Sequence, residues 1–240
     1  MQQPWRFAMR WLAWVALAGL ALQLVFLLRV VAMVWFDPAS TAFQRSEAWR
    51  LATTRPKATW SHRWVPYPAL SVHLKRAVIA SEDASFAEHP GVDWDALRTA
   101  WARHQRHEAA PPLRGRPVRL AGGSTISQQL AKNLLLSGER TLWRKGQELV
   151  LTLMLESVLS KERMLEIYLN HVEWGEGIFG AEAAAQHYFR KPASRLSAQE
   201  AARLAVMLPA PKRFQRNPYS GYLNQRTSTI VARMGAVALP

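Results

Sequence analysis

Three short stretches gather side chains able to do chemistry on a hydroxylated or phosphorylated substrate. The first, Glu82-Asp83-Ala84-Ser85-Phe86-Ala87-Glu88-His89-Pro90-Gly91, sets two adjacent acids ahead of an aromatic residue, a histidine and a glycine turn. A carboxylate partly shielded at a cleft edge has its pKa moved toward working pH, as a general base for a hydroxyl requires. The same two acids are also what a solvated helix end carries. The second stretch runs from Gly122 to Asn133, a Gly-Gly turn entering a helix. The free N–H groups and positive dipole end of such a helix suit an anion. Ser124 or Thr125 can cap it; Gln128 and Lys132 share a face, with Gln129 beside them. No Gly-Lys-Ser/Thr follows at the spacing of a nucleotide phosphate loop, and an ordinary capped surface helix reads the same way. The third stretch places Arg140, Arg144 and Glu148 in one helical stripe with Lys145 next to it. Arg donates two parallel hydrogen bonds to phosphate, so the stripe could clamp a diphosphate. A solvated ladder of exposed ion pairs has the same pattern.

The elements that must hold these stretches are helical. Leu70, Leu74, Ala77 and Val78 recur at helical spacing and deliver Glu82 and Asp83 at the end of a helix. Asp93 to His104 is a second candidate, and His104 to Gly123, rich in Pro, Arg and Gly, reads as a surface loop. Helices are expected over Thr125–Leu136 and Thr141–Ser160, separated by a turn at Ser137-Gly138, then over Lys161–Asn170 and Gly180–Phe189. Ser197-Ala198-Gln199-Glu200 is a capping box opening a helix that must end before Pro209-Ala210-Pro211. Tyr222 to Ala236 closes the fold. No segment alternates over six or more residues, which argues against a large sheet.

The N-terminus sets the compartment. Trp11 to Leu28 is apolar except for Gln23, and Val30 to Phe36 extends the run past Arg29. A bilayer core needs roughly 20 apolar residues as helix, so the segment is long enough for an uncleaved anchor. Arg6 and Arg10 precede it with no nearby acid, which favours a cytoplasmic N-terminus and a following domain outside the cytoplasm. Arg29 must then snorkel to the outer interface. The expected organisation is a cytoplasmic N-terminus over 1–10, a transmembrane anchor over 11–36, a linker over 37–63 and a catalytic domain over 64–240. With 31 Lys and Arg against 17 acids, the formal net charge is +14, which directs attention to polyanionic partners. Cysteine is absent, which excludes disulfides, thiolate catalysis and Cys-ligated metal.

The order and spacing of the stretches resemble the family-51 peptidoglycan glycosyltransferases, specifically the monofunctional biosynthetic transglycosylases. Glu82 to Gly91 matches E-D-x-x-F-x-x-H-x-G at each fixed position, and Gly122 to Gln129 matches G-G-S-T-I-T-Q-Q with Ser127 in place of Thr. Arg144-Lys145-x-x-Glu148 matches R-K-x-x-E, and Lys161 to Asn170 is similar to K-x-x-I-L-E-x-Y-L-N with Met164 where Ile is common. Gly177 to Phe189 is similar to the element that follows. The resemblance covers roughly Trp64 to Phe214.

That resemblance implies a mainly α protein: a transmembrane helix, then a lysozyme-like helical domain with a smaller membrane-proximal jaw. It implies polymerisation of lipid II into β-1,4 glycan with release of the polyprenyl diphosphate. Glu82 would be the base and Glu148 the second essential carboxylate. Lys132, Arg140, Arg144 and Lys145 would hold the diphosphate, and Ser127, Gln128, Gln129 and Asn133 would position the donor. A divalent cation, Mg or Mn, would assist without a dedicated ligand cluster. The implied location is the bacterial inner membrane, single-pass, with the catalytic domain periplasmic. The implied partners are lipid II, the lipid-linked strand, the membrane and other cell-wall synthesis or division proteins. No S-x-x-K and no K-T-G occurs, so a transpeptidase activity is not expected.

Two other classes compete. A lysozyme-like glycan-cleaving enzyme would also use a cleft carboxylate, but it needs no cationic stripe for a leaving diphosphate. An anchored glycan-binding module would tolerate loss of Glu82. Nucleic acid is not expected as a partner, because the basic residues fall inside the motifs and behind an anchor.

Overall fold

The computed structural model describes residues 4–55, 57–95, 98–99, 124–136 and 141–240. The helix expected from Asp93, the Pro/Arg-rich loop to Gly123 and Arg140 therefore lie wholly or largely outside the described residues. The protein is mainly α. Helix α1 spans Pro4–Ala32 and α2 Ala42–Thr54; α3 covers Val72–Glu82, α4 Ile126–Leu135 and α5 Leu142–Val158. Then come α6 (Lys161–His171), α7 (Ala181–Phe189), α8 (Ala198–Met207), α9 (Pro211–Gln215) and α10 (Gly221–Arg233).

Helix α1 is apolar over Trp5–Ala32 and almost wholly exposed, long enough to cross a bilayer at about 1.5 Å per residue. Its second half packs on the rest of the chain, through Phe26, Val30 and, just beyond it, Met33. Arg163 of α6 fastens that end. It donates to the carbonyls of Met33 (2.8 Å) and Phe36 (3.1 Å) and pairs with Asp37 (2.8 Å). About two turns before Val30, Gln23 and Gln147 of α5 exchange two amide hydrogen bonds, 2.9 and 3.1 Å.

The stretch 37–63, expected as a linker, contains folded elements. Helix α2 opens with a capping box between Thr41 and Gln44 and buries Gln44, Glu47 and Leu51. Strand β1 (Ser61–His62) pairs parallel with β3 (Ile178–Phe179), which pairs antiparallel with β2 (Glu173–Gly175). The sheet is three-stranded, order β1-β3-β2, and its strands are too short to show alternation.

The core lies between α3, α8 and α10, where Leu74, Val78, Ala201, Leu204, Ala205, Leu223 and Ile230 are buried, and extends around α6. Burying such side chains contributes about 1.5–3 kcal/mol each for the larger ones. Helix α6 is the spine. Met164, Leu165, Ile167 and Tyr168 are buried, while Asn170 pairs through its side-chain amide with both the N–H (2.8 Å) and the C=O (2.9 Å) of Val65. Glu166 accepts the Tyr67 N–H at 2.8 Å. The polar residues of the Lys161–Asn170 motif thus hold the incoming chain against the core.

Candidate active site

Glu82 is the last residue of α3. Ser71 caps the start of that helix by accepting the His73 N–H, and the apolar face from Leu74 to Ile79 is buried, so the C-terminal end is fixed in place. The Glu82 carboxyl is half-buried. Its Oε2 accepts a hydrogen bond from Gln129 Nε2 at 3.1 Å; Ser81 Oγ lies 3.5 Å from Oε1. Burial pushes the Glu82 pKa above the ordinary carboxylate value, against the hydrogen bonds from Gln129 and Ser81. The Asp83 charge pushes the same way as burial, and the Lys132 cation opposes it. A carboxylate of this kind is shielded yet still supplied with donors.

Asp83 caps the same helix and is more deeply buried than Glu82. Its Oδ2 accepts the Ile126 N–H at 2.9 Å, and its Oδ1 accepts from His89 Nε2 at 2.9 Å. The His89 tautomer follows from its neighbours, since Nδ1 accepts the Gly91 N–H at 3.2 Å and leaves the proton on Nε2. Gly91 sits at φ +90°, and a Cβ there would lie 2.9 Å from both Glu156 Cγ and Thr152 Cγ2. Only glycine lets this turn lie flat on α5. Thr125 closes the circuit by donating from Oγ1 to the Gly91 carbonyl at 2.6 Å. The first motif and the start of the second are thus one joint between α3 and α4.

Helix α4 divides its side chains between that joint and the site. Gln128 completes a capping box with Thr125, its Oε1 accepting the Thr125 N–H at 3.3 Å. Ser127 is fully buried and donates to Glu156 Oε1 at 2.5 Å; Lys161 Nζ reaches the same oxygen at 2.8 Å and the His89 carbonyl at 2.7 Å. Ser127 and Gln128 therefore face the fold, whereas Gln129 faces Glu82 and Lys132, one turn on, is exposed and close enough to act on its charge. Asn133 is half-buried next to Lys132.

Helix α5 runs antiparallel to α4, because Ser127 at the start of one meets Glu156 near the end of the other across a short connection. Thr141 caps α5 by accepting the Arg144 N–H at 3.1 Å. Glu148 is buried and lies about 12 Å along the axis from Glu156. Arg144 Nη1 donates to Glu148 Oε2 at 2.9 Å, and Lys145 Nζ donates to Oε1. Both Glu148 oxygens are thus taken by cations. Arg144 Nε is buried with no hydrogen-bond partner among the described residues. A buried donor without an acceptor is costly, about 1–3 kcal/mol, unless something supplies one.

The sequence motifs mark most of these positions but hide two roles. Asp83 was visible only as the neighbour of Glu82, and its cap geometry had no separate signal. Tyr168 was part of a helical run; in the fold its hydroxyl donates to Gln129 Oε1 at 3.0 Å. Among the described residues no three His, Asp or Glu side chains converge on one point.

The transglycosylase family model matches residues 34–235. The chain is 55% identical over 235 residues to a biosynthetic peptidoglycan transglycosylase of Burkholderia thailandensis, covering 96% of this chain and 88% of that one. It is 54% identical over 230 residues to a protein of the same name from Bordetella avium, covering 94% of each. Identity at this level, over nearly the whole of both chains, shows that this chain belongs to the transglycosylase family, a glycosyltransferase family of peptidoglycan synthesis.

Proposed function

We propose that the protein polymerises lipid II into β-1,4 glycan at the outer face of the bacterial inner membrane. The acceptor sugar hydroxyl gives its proton to Glu82, its oxygen attacks the anomeric carbon of the lipid-linked strand, and the bond to the diphosphate breaks with inversion. A half-buried carboxylate with raised pKa suits the first step. Lys132, Arg144 and Lys145, with Arg140 from the connection before α5, neutralise the diphosphate as it leaves. Gln129, Lys132 and Asn133 position the donor, and Ser127 and Gln128 contribute by fixing the helix that carries them. Glu148 holds the Arg144 and Lys145 cations in one geometry. A divalent ion that assists would arrive with the diphosphate.

One observation carries this reading: among the described residues the buried Arg144 Nε has no acceptor, on a helix that packs against the one holding Gln129 to Glu82. A phosphate oxygen would satisfy it. Helix α1 serves as a single-pass anchor with its N-terminus cytoplasmic. Trp143, Leu149, Val150 and Leu153 are exposed on α5, the helix joined to α1 through Gln147, and as the jaw they meet the outer leaflet where both lipid substrates reside. Other cell-wall synthesis or division proteins are the partners expected there.

The test is incubation of detergent-solubilised protein with labelled lipid II. Long, muramidase-sensitive glycan and free polyprenyl diphosphate are expected. Shortening of finished glycan with lipid II untouched would instead favour a cleaving enzyme.

A further inference from the structure

Tyr168 sits at the centre of α6 with 1% of its surface exposed, yet it carries a polar hydroxyl. Among the described residues that hydroxyl has one hydrogen-bond partner, Gln129 Oε1 at 3.0 Å. The other end of the same amide, Nε2, lies 3.1 Å from Glu82 Oε2. A carboxylate can only accept, so when Glu82 is ionised the amide must turn its NH2 toward it. The carbonyl then faces Tyr168, which must donate. The three groups form a chain with one direction, tyrosine to amide to carboxylate, and each link polarises the next in a low-dielectric setting.

We infer that Tyr168 is a positioning residue for the base: its hydroxyl fixes the orientation of the Gln129 amide, and that amide in turn holds Glu82 in the ionised form that accepts the proton. This rests on the reading of Glu82 as general base. Without the hydroxyl, Gln129 Oε1 loses the donor that fixes it, and the turned-over amide is no longer excluded once Glu82 holds a proton. Turned over, it presents Oε1 to Glu82. That arrangement repels the carboxylate and accepts a hydrogen bond from the carboxylic acid, so the protonated base is favoured.

The other groups facing Glu82 do not offset this change. Asp83, next in the chain, repels the ionised form, and Lys132 from α4 attracts it. Both are unaltered by removing an oxygen from α6. Ser81 Oγ lies 3.5 Å from the other carboxyl oxygen and equally far from the Ala205 carbonyl of α8. Asp83 in turn is pushed up by burial and held back by His89, the Ile126 N–H and Lys161, all untouched.

Tyr168→Phe keeps the ring and its packing, and circular dichroism and Tm establish that the variant is folded. Its rate of lipid II polymerisation, measured across pH, is expected to fall roughly three- to tenfold on the acid side and recover on the alkaline side. Introducing Tyr168→Phe into a Gln129→Leu background should add no further displacement, because the effect travels through the amide. A merely structural role for Tyr168 would lower the rate evenly at all pH values, or act independently of Gln129; either result overturns the inference. An infrared titration, taken as the difference between protein with Glu82 and with Glu82→Gln, reads the carboxyl directly. It should show Glu82 retaining its proton to higher pH in Tyr168→Phe. This measurement does not depend on polymer formation, so failure of the polymerase reading and failure of the tyrosine–amide chain are told apart. Superimposable infrared titrations would overturn the chain even if polymerisation is confirmed.

Discussion

Asp83 Oδ2 accepts the backbone N–H of Ile126 at 2.9 Å, so the carboxylate beside Glu82 holds the first residue of the helix that carries Gln129 and Lys132. The end of α3 and the start of α4 are tied together at this point. Asp83→Ala leaves both the Ile126 N–H and His89 Nε2 without their acceptor in a buried place. The expected cost is about 2–3 kcal/mol of stability together with loss of activity, because Gln129 no longer meets Glu82 in register. Denaturant unfolding alongside a polymerisation assay checks this. An unchanged midpoint would mean that the joint is held elsewhere.

Arg144 pairs with Glu148 through Nη1, while its Nε has no acceptor among the described residues. Lysine cannot present both groups, since its ammonium is a point charge without the planar fork. Arg144→Lys is expected to remain folded and to lose about tenfold or more in kcat/KM for lipid II. Full activity in the lysine variant would show that only the charge is needed.

Glu173 is buried against β3, and burial pushes its carboxyl up to about 7, in spite of Lys212. Lys212 Nζ lies 3.3 Å from Glu173 Oε1, close enough for charge attraction but not aligned as a hydrogen bond, and it sits closer to Glu47, at 2.6 Å. A folded-state pKa above the ordinary 4.5 means that the native state binds the proton more tightly. The resulting stability is fully present below about pH 4.5 and is lost as pH rises through about 7. Glu173→Gln removes that loss. The variant should match wild type at acid pH and exceed it by about 1–3 kcal/mol above pH 7, read from Tm across pH. A Tm difference that is constant with pH would contradict the assignment.

Gln23 lies six residues inside Arg29, about 9 Å along α1, and meets Gln147 there. Amide pairs between helices at such depth contribute about 1 kcal/mol. Because the chain has no cysteine, Q23C with Q147C introduces a unique reactive pair. A short bifunctional thiol linker should join the two in membranes. It should not join Q23C to a cysteine at Trp49, on α2. Equal linking in both cases would mean that α1 moves freely beside the domain.

Much of this arrangement could be read from residue types alone. Helices α4, α6 and α8 begin at Thr125, Ser160 and Ser197, hydroxyl caps placed directly ahead of apolar periodicity, so their starts were legible. Helix α2 was not, because its buried face is made of Gln44, Glu47 and Leu51 and only one of these is apolar. Its Thr41–Gln44 capping box was the available signal. The short strands β1 and β3 were invisible for a different reason: two residues cannot display a period of two. Within the site, a motif names neighbours in the chain but not their directions. Successive helical residues point about 100° apart. Gln128 therefore turns into a cap while Gln129 reaches Glu82, and that distinction depends on Asp83 fixing the rotation of α4.

The most direct test of the central claim compares Glu82→Gln with wild type in lipid II polymerisation, across pH and with Tm as a control for folding. Burial raises the Glu82 pKa, and the base works ionised, so wild-type rate should fall on acidification at a higher pH than an ordinary glutamate would give. Glu82→Gln, nearly identical in shape, should be folded and at least about a thousandfold slower at every pH. A folded Glu82→Gln protein that still makes long glycan at near wild-type rate would contradict the assignment of Glu82 as the base.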